Sequence, residues 1–236
     1  MDALRFANLT FRGLRRKDLL RDDGELKAIV TVNAEIIVEA NQNPKLAEII
    51  NRSWSTLDGQ WPYLLARWRS GRRDIEKISG SDFIYELCDV ASKRELKVFL
   101  LGATPEVNRE ACARLHKKFG LQIAGHAPPI MKFPFPTASD REIMARLEAF
   151  APDVLIICFG SPKQELWADS HLQELNSIGT RWIMGAGGTL DFVAGTIKRA
   201  PFVLQRAGLE SLWRLALEPR VRIMRILRAF RFLRYA

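Results

Sequence analysis

The stretch that most constrains the fold of this chain is residues 154–165, where an apolar run passes through a glycine into polar residues. An apolar run without alternation is typical of a parallel strand that is buried on both faces. The run ends at Gly160, and Ser161 followed by Pro162 predicts a helix N-cap and a first helical residue. The first side chains of that helix are then Lys163, Gln164 and Glu165.

The same alternation of strand and helix patterns recurs along the chain. Strands are predicted at residues 26–32, 97–101, 121–124, 153–159 and 181–184. Helices are predicted at residues 44–54, 62–68, 81–94, 104–119 and 140–150, and from residue 162 onwards. Residues 127–136 contain four prolines and are predicted to be a loop. This order predicts an α/β fold with a doubly wound, mostly parallel sheet.

Glycines follow three of the predicted strands. They are Gly102, Gly160 and the group Gly185, Gly187 and Gly188. Strand ends of an open parallel sheet lie along one edge, where such folds bind ligands, so these turns are expected to form a crevice for a nucleotide or phosphate. The Gly-x-Gly-Gly run is not the Gly-x-Gly-x-x-Gly fingerprint, and no acidic residue follows a strand at the required distance, which disfavours a dinucleotide.

Cysteine, histidine and apolar patterns exclude several classes of protein. The three cysteines and three histidines are scattered and form no ligand spacing, which indicates reduced thiols and no metal site. The longest run without a charged residue is 12 residues, at 120–131, which is too short to span a bilayer. Asp2 and Arg5 interrupt the N-terminus, so no signal peptide is expected there.

The positive charge is concentrated at the C-terminal end. The chain carries a net charge of +9, and residues 196–236 contain ten basic and two acidic residues, which accounts for +8. We therefore predict two parts, a nearly neutral core at residues 1–195 and a basic appendage at residues 196–236. Such an asymmetry indicates an anionic partner for the appendage.

Part of the appendage has the pattern of an amphipathic helix. Five apolar residues fall within a sector of about 120° on a helical wheel, and arginines occupy the rest of the circumference. The apolar residues are Ile223, Ile226, Leu227, Phe230 and Leu233. A terminal helix packed on the core would explain the apolar face but not the charge of +8. The pattern therefore favours docking on an anionic membrane surface.

Several motifs together resemble the WecG/TagA/CpsF family of bacterial glycosyltransferases. They occur in the order of the family and cover roughly residues 27–222. They are Thr31-Val32-Asn33-Ala34-Glu35, Asp58-Gly59-Gln60, Gly80-Ser81-Asp82, Phe99-Leu100-Leu101-Gly102, Phe159-Gly160-Ser161-Pro162-Lys163-Gln164-Glu165, Gly185-Ala186-Gly187-Gly188 with Asp191-Phe192, Gly195 with Lys198-Arg199-Ala200-Pro201, and Gly208-Leu209-Glu210 through Arg214-Leu215 to Glu218-Pro219-Arg220.

The resemblance implies an inverting, metal-independent hexosyltransferase with a Rossmann-like core and no cofactor. Such enzymes move a sugar from a UDP-sugar to a polyprenyl-diphosphate-linked sugar at the cytoplasmic face of the bacterial inner membrane. The C-terminal appendage would help close the active site and touch the membrane as a peripheral anchor. Within the proline-rich loop at 127–136, residues 127–133 resemble the sequence of exopolysaccharide members rather than that of teichoic-acid members. N-acetylmannosamine, its uronic acid and glucose all remain open as the donor sugar, and an enterobacterial-antigen type of product is a further possibility.

The resemblance also assigns roles to individual residues. Asp58 occupies the position of the proposed catalytic base, although an Asp-Gly turn alone would also explain it. Thr31 and Asn33 could hold the diphosphate or sugar hydroxyls, or Asn33 could simply cap a turn. Gln164 is expected to bind a sugar, and Lys163 either reaches a phosphate or lies on the surface. Cations for the departing UDP would come from Arg199, Arg206 and Arg214, with backbone N–H groups from Gly102, Gly160, Gly185, Gly187 and Gly188.

Two other classes of protein remain as alternatives at this stage. A nucleic-acid-binding protein would use the arginine tail on phosphates, but the apolar face of the tail and the neutral core argue against nucleic acid as a partner. A non-catalytic nucleotide-binding scaffold on the membrane would need the same crevice and tail without a base. An active site completed by the tail is also compatible with a homo-oligomer.

Overall fold

The computed structural model describes residues 3–197, 200, 204, 213 and 229–236, and all structural statements concern these residues. The strands are β1 Leu4–Phe6, β2 Leu9–Phe11, β3 Lys27–Val32, β4 Trp54–Leu57, β5 Lys97–Gly102, β6 Gln122–His126, β7 Val154–Cys158 and β8 Trp182–Gly185. The helices are α1 Arg16–Leu20, α2 Ala34–Ala40, α3 Pro44–Arg52, α4 Gln60–Ser70, α5 Gly80–Lys93, α6 Pro105–Phe119, α7 Thr137–Phe150, α8 Lys163–Ser170, α9 Leu172–Ser177 and α10 Thr189–Ala194, followed by a 3₁₀ helix at Arg231–Arg234.

A six-stranded parallel sheet flanked by helices forms the centre of the fold, in the order β4-β3-β8-β7-β5-β6. The registers pair Val30 with Gly185, Ile157 with Gly185, and Leu101 with Ile157. All five residues of β7 are buried, as its unbroken apolar sequence predicts. The predicted α/β class with a Rossmann-like parallel sheet is therefore confirmed.

By its internal contacts the described chain divides into two compact units. The first unit contains residues 3–19, residues 31–79 and the described residues from Ala200 onwards, and the second contains residues 20–30 and 80–197. The boundary falls inside β3, between Val30 and Thr31. The predicted division between residues 1–195 and 196–236 was based on charge rather than on contacts, and it stays a prediction.

The second unit has a continuous apolar core between its sheet and its helices. Side chains of β5 and β7 pack there against α7 and α8. The buried members include Phe99, Leu101, Leu155, Ile157, Ile143, Leu147 and Trp167. Burial of so many large side chains is the main favourable term for folding of this unit.

Two helices begin where their capping residues predict. Thr104 accepts a hydrogen bond from the Val107 backbone N–H at 3.3 Å, and α6 ends at Gly120 in the left-handed conformation. Asn43 caps α3 in the same way, accepting from the Leu46 backbone N–H at 3.2 Å. Local hydrogen bonds of this kind satisfy orphan N–H groups of the first turn, which is why the sequence alone located them.

The first unit contains elements that the sequence patterns did not predict. Residues 1–25 gave no clear pattern, yet β1 and β2 form an antiparallel hairpin across Ala7 and Asn8. Both turn residues have positive φ without a glycine, at 51° and 62°, so the usual turn signal is missing. The short strand β4 was read as part of a helix and a turn, because only four residues separate Ser53 from Asp58.

Most of the predicted amphipathic helix lies outside the described residues, including Ile223, Ile226 and Leu227. Of its apolar face, Phe230 and Leu233 are described, and both are exposed. The neighbouring Phe232 is buried instead, and the 3₁₀ helix that carries it contacts α2. On a wheel of 100° per residue, Phe232 lies about 160° from Phe230, so the side that is buried here is opposite to the predicted apolar face. Within the described ranges, no helix has both the length and the apolar content needed to cross a bilayer.

The Asp22→Asn variant should unfold more easily than the native chain by about 1 kcal/mol at pH 7. Burial alone would raise the pKa of Asp22, but hydrogen bonds from Arg181 and Gly24, with the charges of Arg181 and Arg94, hold this pKa below its ordinary value. A depressed folded-state pKa gives stability that is present above the unfolded-state pKa and is lost as the pH falls through the folded-state pKa.

Urea unfolding of both chains at several pH values measures this effect. The difference should stay constant above about pH 5 and shrink below about pH 4, where the unfolded carboxyl takes up its proton. Asp89→Asn, which removes an exposed pair with Lys93, is the matched control and should change stability little at any pH. A difference that does not change with pH would show that the charge of Asp22 is not the cause.

Candidate functional site

In the first unit, Asp58 lies beside the carboxyl end of β3. Its backbone N–H donates to the Val32 carbonyl oxygen at 3.0 Å, so the turn after β4 is tied to the end of the neighbouring strand. Asp58 is half-buried, and Gly59 with φ of 94° follows it before α4 begins. The structure thus brings together Asp58 and the two other candidates of this unit, Thr31 and Asn33, at the end of β3.

The side chain of Asn33 caps α2. Its Oδ1 accepts from the Ile36 backbone N–H at 3.0 Å, which leaves Nδ2 as the atom that could donate to a ligand. The alternative interpretation of Asn33 as a cap therefore holds, without excluding a second contact from the amide nitrogen. Thr31 is the second-last residue of β3 and is buried, so most of its surface faces protein.

In the second unit, three glycine turns lie side by side at the carboxyl ends of β5, β7 and β8. The Ala103 N–H donates to the Cys158 carbonyl oxygen at 3.3 Å, and the Ala186 N–H donates to the Ile157 carbonyl oxygen at 2.9 Å. These bonds fix the first and third turns against the strand between them. The structure therefore places Gly102, Gly160 and the 185–188 turn along one edge, as the strand pattern indicates.

Gln164 joins two of these turns. Its Oε1 accepts from the Gly160 N–H at 3.1 Å and from the Gly187 N–H at 3.0 Å, while its Nε2 donates to Glu165 Oε1 at 2.8 Å. The side chain is only 3% exposed. A buried amide with both ends engaged acts as a clamp between the β7–α8 and β8–α10 turns, and this role was not evident in the sequence.

Close packing explains the glycine at the end of β8, whereas Gly160 and Gly187 have no atom within 4 Å of an added Cβ and are favoured by their positive φ. A Cβ at Gly185 would lie 2.9 Å from Gln164 Nε2, so a side chain there would displace the clamp. Gly188 is the N-cap residue of α10 and, having no side chain, it donates or accepts no capping hydrogen bond through one. Since the N–H groups of Gly160 and Gly187 already donate to Gln164, they are not available to a phosphate in this arrangement.

The Lys163 side chain is hydrogen-bonded to the proline-rich loop, whereas the sequence indicated a phosphate or the solvent as its partner. Its Nζ donates to the Met131 carbonyl oxygen at 3.2 Å, which ties the start of α8 to the loop at residues 127–136.

The prediction that Ser161 is the N-cap was wrong, because α8 begins at Lys163 after Pro162 and no side chain caps it. The Ser161–Pro162 peptide bond is cis, a conformation that the capping pattern did not anticipate.

Aromatic rings hold the proline-rich loop against the same turn. Phe135 meets Phe159 edge-on with centroids 5.0 Å apart, and Phe159 meets Trp167 at 5.9 Å. The Trp167 indole N–H donates to Asp140 Oδ1 at 2.7 Å. Each of these residues looked like ordinary core or surface in the sequence, and only the fold shows that together they position the loop.

Asn108 supports the first glycine turn and was also missed. It is buried on α6, and its Nδ2 donates to the carbonyl oxygens of Leu100 and Gly102 at 3.0 and 2.9 Å. A buried asparagine in a helix whose side chain reaches strand carbonyls satisfies groups that would otherwise be costly to bury. Nothing in a single sequence separates such an asparagine from an exposed one.

The Gly102→Ala variant should lose about 2–3 kcal/mol of stability, because it combines backbone strain with a clash. Gly102 has φ of 103°, and a Cβ there would lie 2.8 Å from the Cys158 carbonyl oxygen. Gly120→Ala is the matched control, since Gly120 also has positive φ but no atom within 4 Å of the added carbon. Urea unfolding should show a cost of about 1 kcal/mol for the control. Equal costs for the two variants would contradict the argument from close packing.

The other residues that the sequence suggests for binding UDP are three arginines of the appendage. Arg199, Arg206 and Arg214 lie outside the described residues. Among the residues that are described, no three histidine, cysteine or acidic side chains converge as metal ligands would. Burial raises the pKa of Cys158 far above its ordinary value, so this thiol at the end of β7 is a packing group rather than a nucleophile.

A comparison with known protein families agrees with this arrangement. The model of the family described as Glycosyl transferase WecG/TagA/CpsF matches residues 3–236, which is essentially the whole chain. The match includes the N-terminal hairpin, which the sequence motifs at 27–222 did not reach. The chain therefore belongs to the WecG/TagA/CpsF family of glycosyl transferases.

Proposed function

We propose that this glycosyltransferase is an inverting hexosyltransferase of cell-surface polysaccharide synthesis. It takes N-acetylmannosamine, its uronic acid or glucose from a UDP-sugar and transfers it to a polyprenyl-diphosphate-linked sugar. The product belongs to an exopolysaccharide, a teichoic acid or an enterobacterial-antigen type of polymer. The proposal is supported by family membership together with the position of Asp58, whose turn is bonded to the end of β3 at Val32.

Asp58 acts as the general base in this scheme. Its carboxylate takes the proton of the acceptor hydroxyl as that oxygen forms a bond to the anomeric carbon of the donor. The bond between that carbon and the UDP oxygen breaks on the opposite face, and UDP departs with its electron pair. Inversion follows from this single displacement, and a well-placed base contributes about 10²–10⁴-fold.

Stabilisation of the leaving UDP comes from cations and a side-chain donor in this proposal, without a metal or another cofactor. Arg199, Arg206 and Arg214 are the proposed cations, and Asn33 Nδ2 is the proposed donor from the first unit. Gln164 acts by holding the glycine turns in place instead of contacting a sugar, because its amide is already engaged at both ends. Lys163 likewise fixes the proline-rich loop.

The proposed location is the cytoplasmic face of the bacterial inner membrane, with residues 196–236 as a peripheral anchor. Ten basic residues there would attract anionic lipid. Exposure of Phe230 and Leu233 at the described end of this stretch supports an apolar contact with lipid. A homo-oligomer stays part of the proposal only as a way of completing the site.

A radiolabelled donor screen tests the function. The full chain is incubated with each of the three UDP-sugars and a lipid-linked acceptor, before and after dialysis against a chelator. Transfer with inversion from one donor is the expected result, unchanged by the chelator. Absence of UDP release with all three donors would favour the non-catalytic scaffold. In a separate binding experiment, binding to duplex DNA in place of anionic vesicles would indicate the nucleic-acid alternative. Loss of activity on dialysis that divalent metal restores would contradict the proposed metal independence.

A further inference from the structure

Helix α4, which begins two residues after Asp58, carries an exposed apolar face that the proposed function does not use. Trp61, Leu64 and Trp68 are 59%, 41% and 77% exposed. They are spaced at i, i+3 and i+7, so they share one side of the helix. On the opposite side of α4, Pro62 and Ala66 are buried and pack against the rest of the unit. An exposed tryptophan pair is unusual enough on a soluble surface to indicate an interaction site.

Arginines flank this face on both sides. On a wheel of 100° per residue, Arg67 lies beyond Leu64 at one border of the face and Arg69 lies beyond the opposite border. Both are exposed, and α4 contains no acidic residue. Exposed Arg73 follows shortly after the helix, while Arg72 is neutralised by bonds to Asp74. The surface around the two tryptophans is therefore cationic.

We propose that α4 is a membrane-docking helix for an anionic lipid bilayer, distinct from the basic C-terminal appendage. Tryptophan is the residue that prefers the boundary between headgroups and acyl chains. Arginines at the borders of an apolar face extend to lipid phosphates while their stems cover apolar surface. A helix with both features lies in the plane of the interface.

A second copy of this chain fits the same face less well. Two largely exposed tryptophans and one leucine offer on the order of 400 Å², about half of what each partner buries in a standard protein–protein interface. Like charges from Arg67 and Arg69 of two copies would also face each other across a two-fold axis. An anionic bilayer removes both difficulties, since it is continuous and carries the opposite charge.

The described end of the chain lies next to α4. A cleft of the first unit is lined by Ala66, Arg69 and Ser70 of α4, by Arg5 and by Tyr235. Exposed Phe230 lies directly before the 3₁₀ helix and exposed Leu233 lies within it, and Tyr235 follows the helix. Docking of α4 would place Trp61 at the depth of the lipid headgroups. Asp58 is three residues from Trp61 in the sequence, so docking would bring it near the depth at which a lipid-linked diphosphate presents its sugar. This consequence for the acceptor rests on the proposed function, whereas docking of α4 itself does not.

Vesicle binding by the full chain tests the proposal. Flotation with phosphatidylglycerol/phosphatidylethanolamine vesicles compares the native chain with Trp61→Ser/Trp68→Ser and with Arg67→Gln/Arg69→Gln. The tryptophan variant should bind about tenfold more weakly, and each lost arginine should cost about fivefold at low salt. Ile130→Ser removes an exposed apolar side chain of the second unit and is the matched control, with binding unchanged. Neutral phosphatidylcholine vesicles should bind all chains weakly.

Native-like vesicle binding by both double variants would overturn the proposal. It would also be overturned if sedimentation showed a dimer of the native chain that the tryptophan variant loses, because the face would then be a homodimer interface. Transfer to a short-chain acceptor dispersed in detergent separates this proposal from the proposed function. The tryptophan variant should keep that activity, and a native chain that binds vesicles but transfers no sugar would refute the function alone.

Discussion

The Asp58→Asn variant should lose about 10²–10⁴-fold in kcat while keeping its fold and its affinity for the donor. Asparagine retains the shape of the side chain but cannot accept the proton of the acceptor hydroxyl. The backbone bond from residue 58 to the Val32 carbonyl oxygen does not involve the side chain, so the turn should survive the change. Single-turnover transfer, donor titration and thermal unfolding measure the three quantities separately.

Asp74→Asn is a suitable control in the same unit. Asp74 is exposed, and the hydrogen bond that it accepts from Arg72 lowers its pKa to about 2, so it is a charged carboxylate without a proposed catalytic role. Its replacement should leave kcat within about twofold, as expected for a surface substitution. Near-native turnover of the Asp58→Asn variant would refute the assignment of the base. Partial activity of Asp58→Glu, with a changed pH profile, would support it, because the carboxylate is then present but displaced.

The sheet was predictable from sequence to the extent that its elements have local signals. The run at 154–158 is apolar at every position, which only a strand covered on both faces needs, and Thr104, Pro105 and Gly120 mark both ends of α6. By contrast, β4 and the β1–β2 hairpin are short and lack turn glycines, so their pairing depends on contacts with distant parts of the chain. Helix α2 was not predicted, because Asn33 was interpreted as a ligand contact or as the cap of a turn, whereas its side chain caps that helix.

The candidate site shows a different limit of sequence reasoning. The glycines were correctly placed at strand ends, but what they accommodate became visible only with the structure. Gly102 lies against the Cys158 carbonyl and Gly185 against Gln164, so close packing explains them without a ligand. Gln164 and Lys163 are polar residues after a strand, and such residues can face a substrate or hold the turn itself. A sequence pattern fixes the position of a side chain along the chain but not its partner.

The two proposed membrane-contact elements were recognised from different properties, the appendage from its charge and α4 from the exposure of its tryptophans. The sequence directed attention to residues 196–236 because their charge is extreme. Trp61 and Trp68 did not stand out, since a helix with apolar residues at i, i+3 and i+7 is normally packed on a core. Their exposure in the structure reverses that interpretation. Two docking elements would hold the orientation of the enzyme on a bilayer more firmly than one helix alone, because two separate contacts resist tilting about either one.

The Gln164→Leu variant should be the most destabilised of the substitutions considered for the second unit. Leucine has nearly the same size but leaves the Gly160 and Gly187 N–H groups without their Gln164 acceptor and removes the Nε2 that donates to Glu165. A buried polar group that loses its partner costs about 1–3 kcal/mol, and since Gly160 and Gly187 are only partly buried we expect a total of about 2–4 kcal/mol. For a chain of this length, that corresponds to a fall in Tm of roughly 10 °C.

Thermal unfolding and steady-state kinetics together distinguish a clamp from a substrate ligand. Loss of a clamp lowers Tm and also lowers kcat at temperatures where the variant is still folded, because the β7–α8 and β8–α10 turns no longer hold their relative positions. Loss of a sugar contact alone would raise KM and leave Tm unchanged. Gln173→Leu on the exposed side of α9 is the matched control and should alter neither quantity appreciably. A Gln164→Leu variant with native Tm and a raised KM would therefore return Gln164 to the role of direct substrate ligand, and would mean that the two glycine turns keep their positions without it.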